Sequence, residues 1–272
     1  MIRLAARCSA DQADLVLAEM VQLAPGGVEE ESGPGWIEYA IYGAEGELPD
    51  LGGVEAALGD GKVEVRSETI PDDWADRWRD FHEPSVIAGG RVVIRPSWHE
   101  SPAGEVVDVL IDPGQAFGTG AHPTTRMCVE LLLELADEER AAGSLVDLGT
   151  GSAVLAIVAA KLGFEPVTGV DLELAALEAA AANADANGVE VGFERLNLRE
   201  EIPPAAETIV ANLTAPLLRD VAARFPAETN TLVCSGLLER EAGDIEAAFA
   251  DAGLKRRTRL RSGDWAALRF ER

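Results

Sequence analysis

With 272 residues, 47% of them hydrophobic and 26% charged, the chain has the material for a sizeable core and the length for roughly two domains. A formal charge of −25 excludes the basic surface that a duplex nucleic acid requires, and favours a cationic partner or none. Lys62, Lys161 and Lys255 are the only lysines, so the acidity also reads as a general bias of composition. Cys8, Cys128 and Cys234 stand too far apart for a zinc ribbon or a disulfide framework, and no metal site is expected. The N-terminus lacks a signal-like apolar run, and "AVLAIVAA" over 153–160 is too short for a bilayer; the expectation is a cytoplasmic protein without membrane contact.

Residues 1–68 predict a small α/β domain. "IRLAARCS", "WIEYAIYG" and "KVEVRSETI" have strand character, "SADQADLVLAEMVQLAP" has apolar residues at helical spacing behind a Ser cap, and "PDLGGVEAALGD" holds a weaker helix. The order strand, helix, strand, strand, helix, strand is the split ferredoxin-like pattern. Residues 69–84, "PDDWADRWRDFHEP" among them, predict a linker helix that starts at Pro71 with Asp72 and Asp73 in its first turn. Trp74 and Trp78 share one face of it and read as packing.

Residues 85–272 form the second predicted domain. "RVVIRPSW" and "EVVDVLID" are two strands that lead into the loop "DPGQAFGTGAHPTT" at 112–125. A phosphate-binding loop would follow its last glycine with Lys and a hydroxyl. Ala121, His122 and Pro123 follow Gly120, so the loop is neutral and runs into the helix "TTRMCVELLLEL", with Thr124 or Thr125 as the expected cap. From Ala141 onward strands and helices alternate, which is the pattern of a parallel sheet covered on both faces. "KRRTRLRSGDWAALRFER" closes the chain as two strands around Ser262, Gly263 and Asp264.

"VDLGTGSAVLAI", 146–157, places Gly149 and Gly151 between a strand and a helix. Such a turn brings unpaired N–H groups and the positive helix end close to a ligand. A nicotinamide fingerprint would have a third glycine at 154, and Val154 stands there. Asp171 ends the next predicted strand, where a carboxylate can accept both hydroxyl hydrogens of a ribose or cap the following helix. Asn212 follows a buried strand at the sheet edge where ligands bind, or makes a turn.

In this order, "DPGQAFGTGAHPTTR", "VDLGTGSAVLAI", "GVDLE", "NADANG" and "VANL" resemble the ribosomal protein L11 methyltransferase family, and the likeness covers nearly the whole chain. The Asp147-x-Gly149-x-Gly151-x-Ala153 turn resembles that of S-adenosylmethionine-dependent methyltransferases, with Ala153 in the last glycine place. The resemblance implies a class I methyltransferase (Rossmann-like) α/β sheet ending in an antiparallel hairpin, with a small N-terminal ferredoxin-like domain that recognises the substrate. It implies S-adenosyl-L-methionine as cofactor and lysine side chains and the N-terminal α-amine of a basic ribosomal protein as acceptors, with no direct nucleic-acid contact and a monomeric enzyme. Carried over by motif, Thr125, Asp147, Gly149, Gly151, Asp171 and Asn212 contact the cofactor, and Phe117, Gly118, Thr119 and Gly120 cover its methionine end. Asn212 also orients the amine, and His122 relays a proton or packs the loop. Two rivals stand beside this reading: a binding module whose cofactor site Ala153 has impaired, and a methyltransferase for small molecules.

Overall fold

The computed structural model describes residues 2–9, 12–13, 16–17, 20, 28–33, 35–43, 63–69, 83–112 and 120–272. The chain divides into two compact units, Met1–Phe81 and His82–Arg272. The expected linker helix with Trp74 and Trp78, the helix expected in "PDLGGVEAALGD", and Phe117, Gly118 and Thr119 lie outside the described residues.

In the first unit, β1 (Ile2–Cys8), β2 (Glu29–Gly33), β3 (Trp36–Gly43) and β4 (Glu64–Thr69) form an antiparallel sheet of order β2-β3-β1-β4. That is the strand order of the split ferredoxin-like pattern. Leu4, Ala6 and Cys8 alternate along β1 and pack with Tyr39 and Ile41 against Ala13, Val16 and Met20, which fall at helical spacing. β2 has no strand signature of its own: Glu29, Glu30 and Glu31 are poor strand formers and are exposed on the sheet's edge. On β3, Glu38 is buried, which pushes its carboxyl up, but Arg3 at 2.7 Å and Arg7 at 2.8 Å bring it below its ordinary value.

In the second unit, β5 (Ser85–Ile87), β6 (Val92–Arg95) and β7 (Val107–Leu110) make a three-stranded sheet. The two strands expected before the loop are β6 and β7; they run parallel, and β5 pairs antiparallel to β6. Arg95 holds Asp108 across this pair through two hydrogen bonds of 2.8 and 2.7 Å.

The main sheet has seven strands in the order β10-β9-β8-β11-β12-β14-β13. They are β8 (Leu145–Leu148), β9 (Val167–Asp171), β10 (Gly192–Arg195), β11 (Thr208–Asn212), β12 (Thr231–Leu238), β13 (Lys255–Ser262) and β14 (Trp265–Glu271). The first five are parallel; β14 inserts antiparallel beside β12, and β13 forms the outer edge. Among the helices are α1 (Pro123–Asp137), α2 (Val154–Leu162), α3 (Leu174–Asn187), α4 (Ala215–Ala222) and α5 (Ala242–Asp251).

Both faces of the central strands are covered, which is why β8, β11, β12 and β14 are buried along nearly their whole length rather than alternately. Val210 of β11 and Ala267 of β14 face Leu131, Leu132 and Leu135 of α1 and Ile157 of α2 in one core. Their neighbours Ile209, Ala211, Leu268 and Phe270 face Leu218 of α4 and Ile245 and Phe249 of α5 in the other. The chain builds outward from β8 through β9 to β10, then returns to lay β11 on the other side of β8. That reversal leaves a crevice at the carboxyl ends of β8 and β11, the place where open α/β sheets hold ligands.

On β13, Lys255, Arg256, Arg257, Arg259 and Arg261 are exposed. Arg256 pairs with Glu246, Arg257 with Glu271, and Arg259 with Glu239 and Glu246.

Candidate functional site

The crevice is floored by the turn from β8 into α2. Gly149, Gly151 and Ala153 all have left-handed backbone, with φ of 70°, 53° and 63°. The N–H groups of Gly149 and Thr150 donate to the Val170 carbonyl at 2.8 and 2.9 Å, which stitches the turn to β9. A Cβ at Gly149 would lie 2.5 Å from Leu213 Cδ2, so glycine there supplies both the dihedral and the space. Ala153 carries a Cβ through the same region of backbone space, which costs about 1–2 kcal/mol. Its methyl group is fully buried and belongs to the apolar core. The departure from glycine noted in the sequence is therefore first a matter of backbone strain.

Ala153 offers α2 no side-chain cap, and Asp147 provides one from beneath the turn. Its Oδ2 accepts the Thr150 hydroxyl at 2.8 Å and the Ala156 N–H at 3.2 Å, the third residue of α2. Asp147 Oδ1 is buried without a protein donor. Burial pushes the carboxyl up to about 7, against the opposing pull of Thr150 and the Ala156 N–H.

Asp171 closes β9 beside the turn. Its Oδ2 accepts the Gly151 N–H at 3.0 Å and its Oδ1 the Glu173 N–H at 3.1 Å. The residue at the cap of α3 is Glu173, so Asp171 clasps the glycine turn rather than capping the helix. Each of its oxygens keeps a lone pair, and the side chain is only partly buried.

Across the crevice, Asn212 closes β11, and its Nδ2 donates to Thr125 Oγ1 at 3.2 Å. Thr125 is fully buried in the first turn of α1. The cap of α1 is neither threonine but His122, whose Nδ1 accepts the Thr124 N–H at 3.4 Å and lies 2.7 Å from Thr124 Oγ1. Pro123 explains the correction: proline is preorganised for the first helical position and keeps its predecessor extended, which moves the cap back by two or three residues. The His122 ring stands edge-on to Trp265 at 4.8 Å, and burial lowers its pKa. Gly120 has φ 82°, and a Cβ there would lie 2.6 Å from Ile94 Cδ1.

Asp147 through Thr150, Gly149 through Val170 and Gly151 through Asp171 thus tie the turn down by hydrogen bonds, and Thr125 and Asn212 form a second bonded pair. Leu213 joins them, packing on Gly149 and donating its N–H to the Ser235 carbonyl at 3.0 Å. Thr150, Leu213 and Trp265 were not singled out from sequence. Thr150 had one legible signal, a hydroxyl three residues after a buried acid. Burial raises the thiols of Cys128 and Cys234, which removes them as nucleophiles. Among the described residues, no group of His, Cys, Asp or Glu is placed to hold a metal. Two carboxylates, crowded glycines and no cation in the turn suit a ligand with positive charge and vicinal hydroxyls, and not a pyrophosphate.

The sequence profile of the family described as "Ribosomal protein L11 methyltransferase (PrmA)" matches residues 47–272. A ribosomal protein L11 methyltransferase of Pelotomaculum thermopropionicum is 39% identical over 234 residues, covering 81% of this chain and 73% of that one. The protein of the same name from Dictyoglomus turgidum is 36% identical over 219 residues, covering 78% and 71%. Among solved structures, a ribosomal protein L11 methylase from Lactobacillus delbrueckii subsp. bulgaricus superposes with a TM-score of 0.60 at 28% identity, over 69% of this chain and 96% of that chain.

Proposed function

The chain belongs to the ribosomal protein L11 methyltransferase family, and from that membership we propose that it transfers methyl groups from S-adenosyl-L-methionine to lysine side chains and the N-terminal α-amine of ribosomal protein L11. The observation that carries this reading is the clasp of Asp171 on the Gly151 N–H, 3.0 Å long, at the reversal of strand order. It sets an acceptor for ribose hydroxyls beside a turn that a ligand can approach closely. Asp171 beside the turn gives the pocket a negative field, to which Asp147 adds in part once pH exceeds about 7, and such a field fits a sulfonium and an ammonium group.

The cofactor supplies an electrophilic methyl carbon when bound. What falls to the protein is to hold a neutral amine in line with the breaking bond and to exclude water. Bringing lysine from a pKa of about 10.4 to its neutral form at pH 7 costs roughly 4.6 kcal/mol, and desolvation beside a positive charge lowers that figure. No strong base is needed, and the proton leaves to water. Asn212 orients the amine through its carbonyl oxygen; with Nδ2 committed to Thr125, Oδ1 is the end left for a substrate N–H. His122 is occupied with the cap of α1 and with Trp265, which supports loop packing over proton relay. Phe117, Gly118, Thr119 and Gly120 cover the methionine end in this reading.

The first unit recognises the substrate, and the acidic chain draws in a basic protein and speeds encounter. The enzyme works as a monomer, in the cytoplasm, without nucleic acid. Labelled S-adenosylmethionine incubated with the protein and free L11 should leave label on L11 lysines and its N-terminus; saturating cofactor with no transfer would sink the proposal. Deleting residues 1–68 should abolish that transfer and spare cofactor binding, and unchanged transfer would favour a small-molecule enzyme.

A further inference from the structure

Two side-chain amides on one face of α3 hold the backbone of the glycine turn and of β7. Asn183 Nδ2 donates to the Ser152 carbonyl at 2.9 Å, inside the glycine turn. One helical turn further on, Asn187 meets Leu110 with both ends of its amide. The Leu110 N–H donates to Oδ1 at 2.9 Å, and Nδ2 donates to the Leu110 carbonyl at 2.7 Å. Leu110 ends β7, an edge strand of the three-stranded sheet, so Asn187 satisfies that edge as a further strand would. Asn187 Nδ2 also donates to the Asn183 carbonyl at 2.8 Å. Just beyond Leu110, Asp112 Oδ1 accepts the Ser97 N–H at 2.6 Å.

Apart from the bond between Asn187 and the Asn183 carbonyl, the helix itself gains nothing from these amides. Asparagine is a weak helix former, and α3 buries its inner face through Ala176, Ala180 and Ala184. Alanine at 183 and 187 would give the better isolated helix.

We propose that Asn183 and Asn187 are positioning residues, a brace that fixes the spacing between the glycine turn and the end of β7 and so sets the affinity for cofactor. The inference rests on the reading of the glycine turn as the S-adenosylmethionine site.

The test uses the full chain with Asn183→Ala, Asn187→Ala and the pair. Ser144→Ala serves as a matched control, because Ser144 Oγ accepts the Glu207 N–H at 3.0 Å at the amino-terminal end of the strands, away from the crevice. S-adenosylhomocysteine is titrated by calorimetry at a temperature where circular dichroism shows every variant folded, and exchange of the Leu110 amide is followed by hydrogen exchange. Asn183→Ala, which loses its one hydrogen bond to the turn, should bind about fivefold more weakly, Asn187→Ala, which loses both bonds to Leu110, at least as much, and the pair about 25-fold or more. Exchange at Leu110 should quicken in Asn187→Ala, while Ser144→Ala should lose thermal stability and keep its affinity. Variants that bind within twofold of the parent, or a control that weakens as much as they do, overturn the brace and leave the cofactor site standing. A parent chain that binds no S-adenosylhomocysteine overturns the cofactor site and the brace together.

Discussion

The turn between β8 and α2 and the turn between β13 and β14 both pass through left-handed glycine, and they differ in what surrounds it. At Gly263, φ 59°, an added Cβ would meet nothing within 4 Å; at Gly149, φ 70°, it would lie 2.5 Å from Leu213. Gly236, φ 83°, is tighter still, with the Leu213 carbonyl oxygen at 2.4 Å from such a Cβ. The hairpin needs a dihedral. The crevice needs a dihedral and an absence of volume, and it places a buried carboxylate directly underneath.

Breaking the crevice side should have the larger consequences. The largest is a pH effect. Asp147 has a folded pKa of about 7 against 3.8 unfolded. Below about pH 4 both states hold the proton and the residue contributes nothing. Between about 4 and about 7 the unfolded chain releases it while the folded chain keeps it, so stability falls as pH rises, by on the order of 4 kcal/mol once pH exceeds 7. Urea melts of cofactor-free protein at pH 4.5 and 7.5 should show this fall, and Asp147→Asn should flatten it; parallel curves for parent and variant would contradict the assignment. Gly149→Ala adds left-handed strain to a clash and should cost about 3 kcal/mol and abolish measurable cofactor binding by calorimetry. Ala153→Gly removes the strain at the cap of α2 and should stabilise by about 1 kcal/mol, raising Tm by about 2–4 °C. Smallest is Gly263→Asn, expected within about 0.5 kcal/mol by urea melts and silent in methyl transfer, because asparagine tolerates this backbone and meets open space. A loss of activity there would erase the distinction between the two turns.

The sequence showed the crevice better than it showed what holds it together. Gly149, Gly151 and Asp171 were visible because a strand–turn–helix pattern and a following strand fix where they fall. The alternation after Ala141 was visible because apolar runs and helical periods differ in length. Asn183 and Asn187 appeared only within a motif, since nothing local says that an amide on a helix will meet a strand edge. The cap of α1 was placed at threonine because threonine is the commoner cap; Pro123 shifted it to His122. The four-strand order of the first unit implies β2 without locating it, and β5 has no signal at all, for a shared reason: Glu29, Glu30 and Glu31, or three residues at Ser85–Ile87, become strands only because a neighbour offers them hydrogen bonds.

Among the described residues, β13 ends the main sheet with one side of its backbone unmatched by another strand. Lys255, Arg256, Arg257, Arg259 and Arg261 line it, several held in place by glutamates of the same chain. A second chain attempting to extend the ladder there would bring its own guanidinium groups against these and would have to strip Arg256, Arg257 and Arg259 from their glutamates first. The strand whose composition least resembles an interior one thereby guards this edge of the sheet, and replacing its arginines with valine would turn the edge into a template for further pairing.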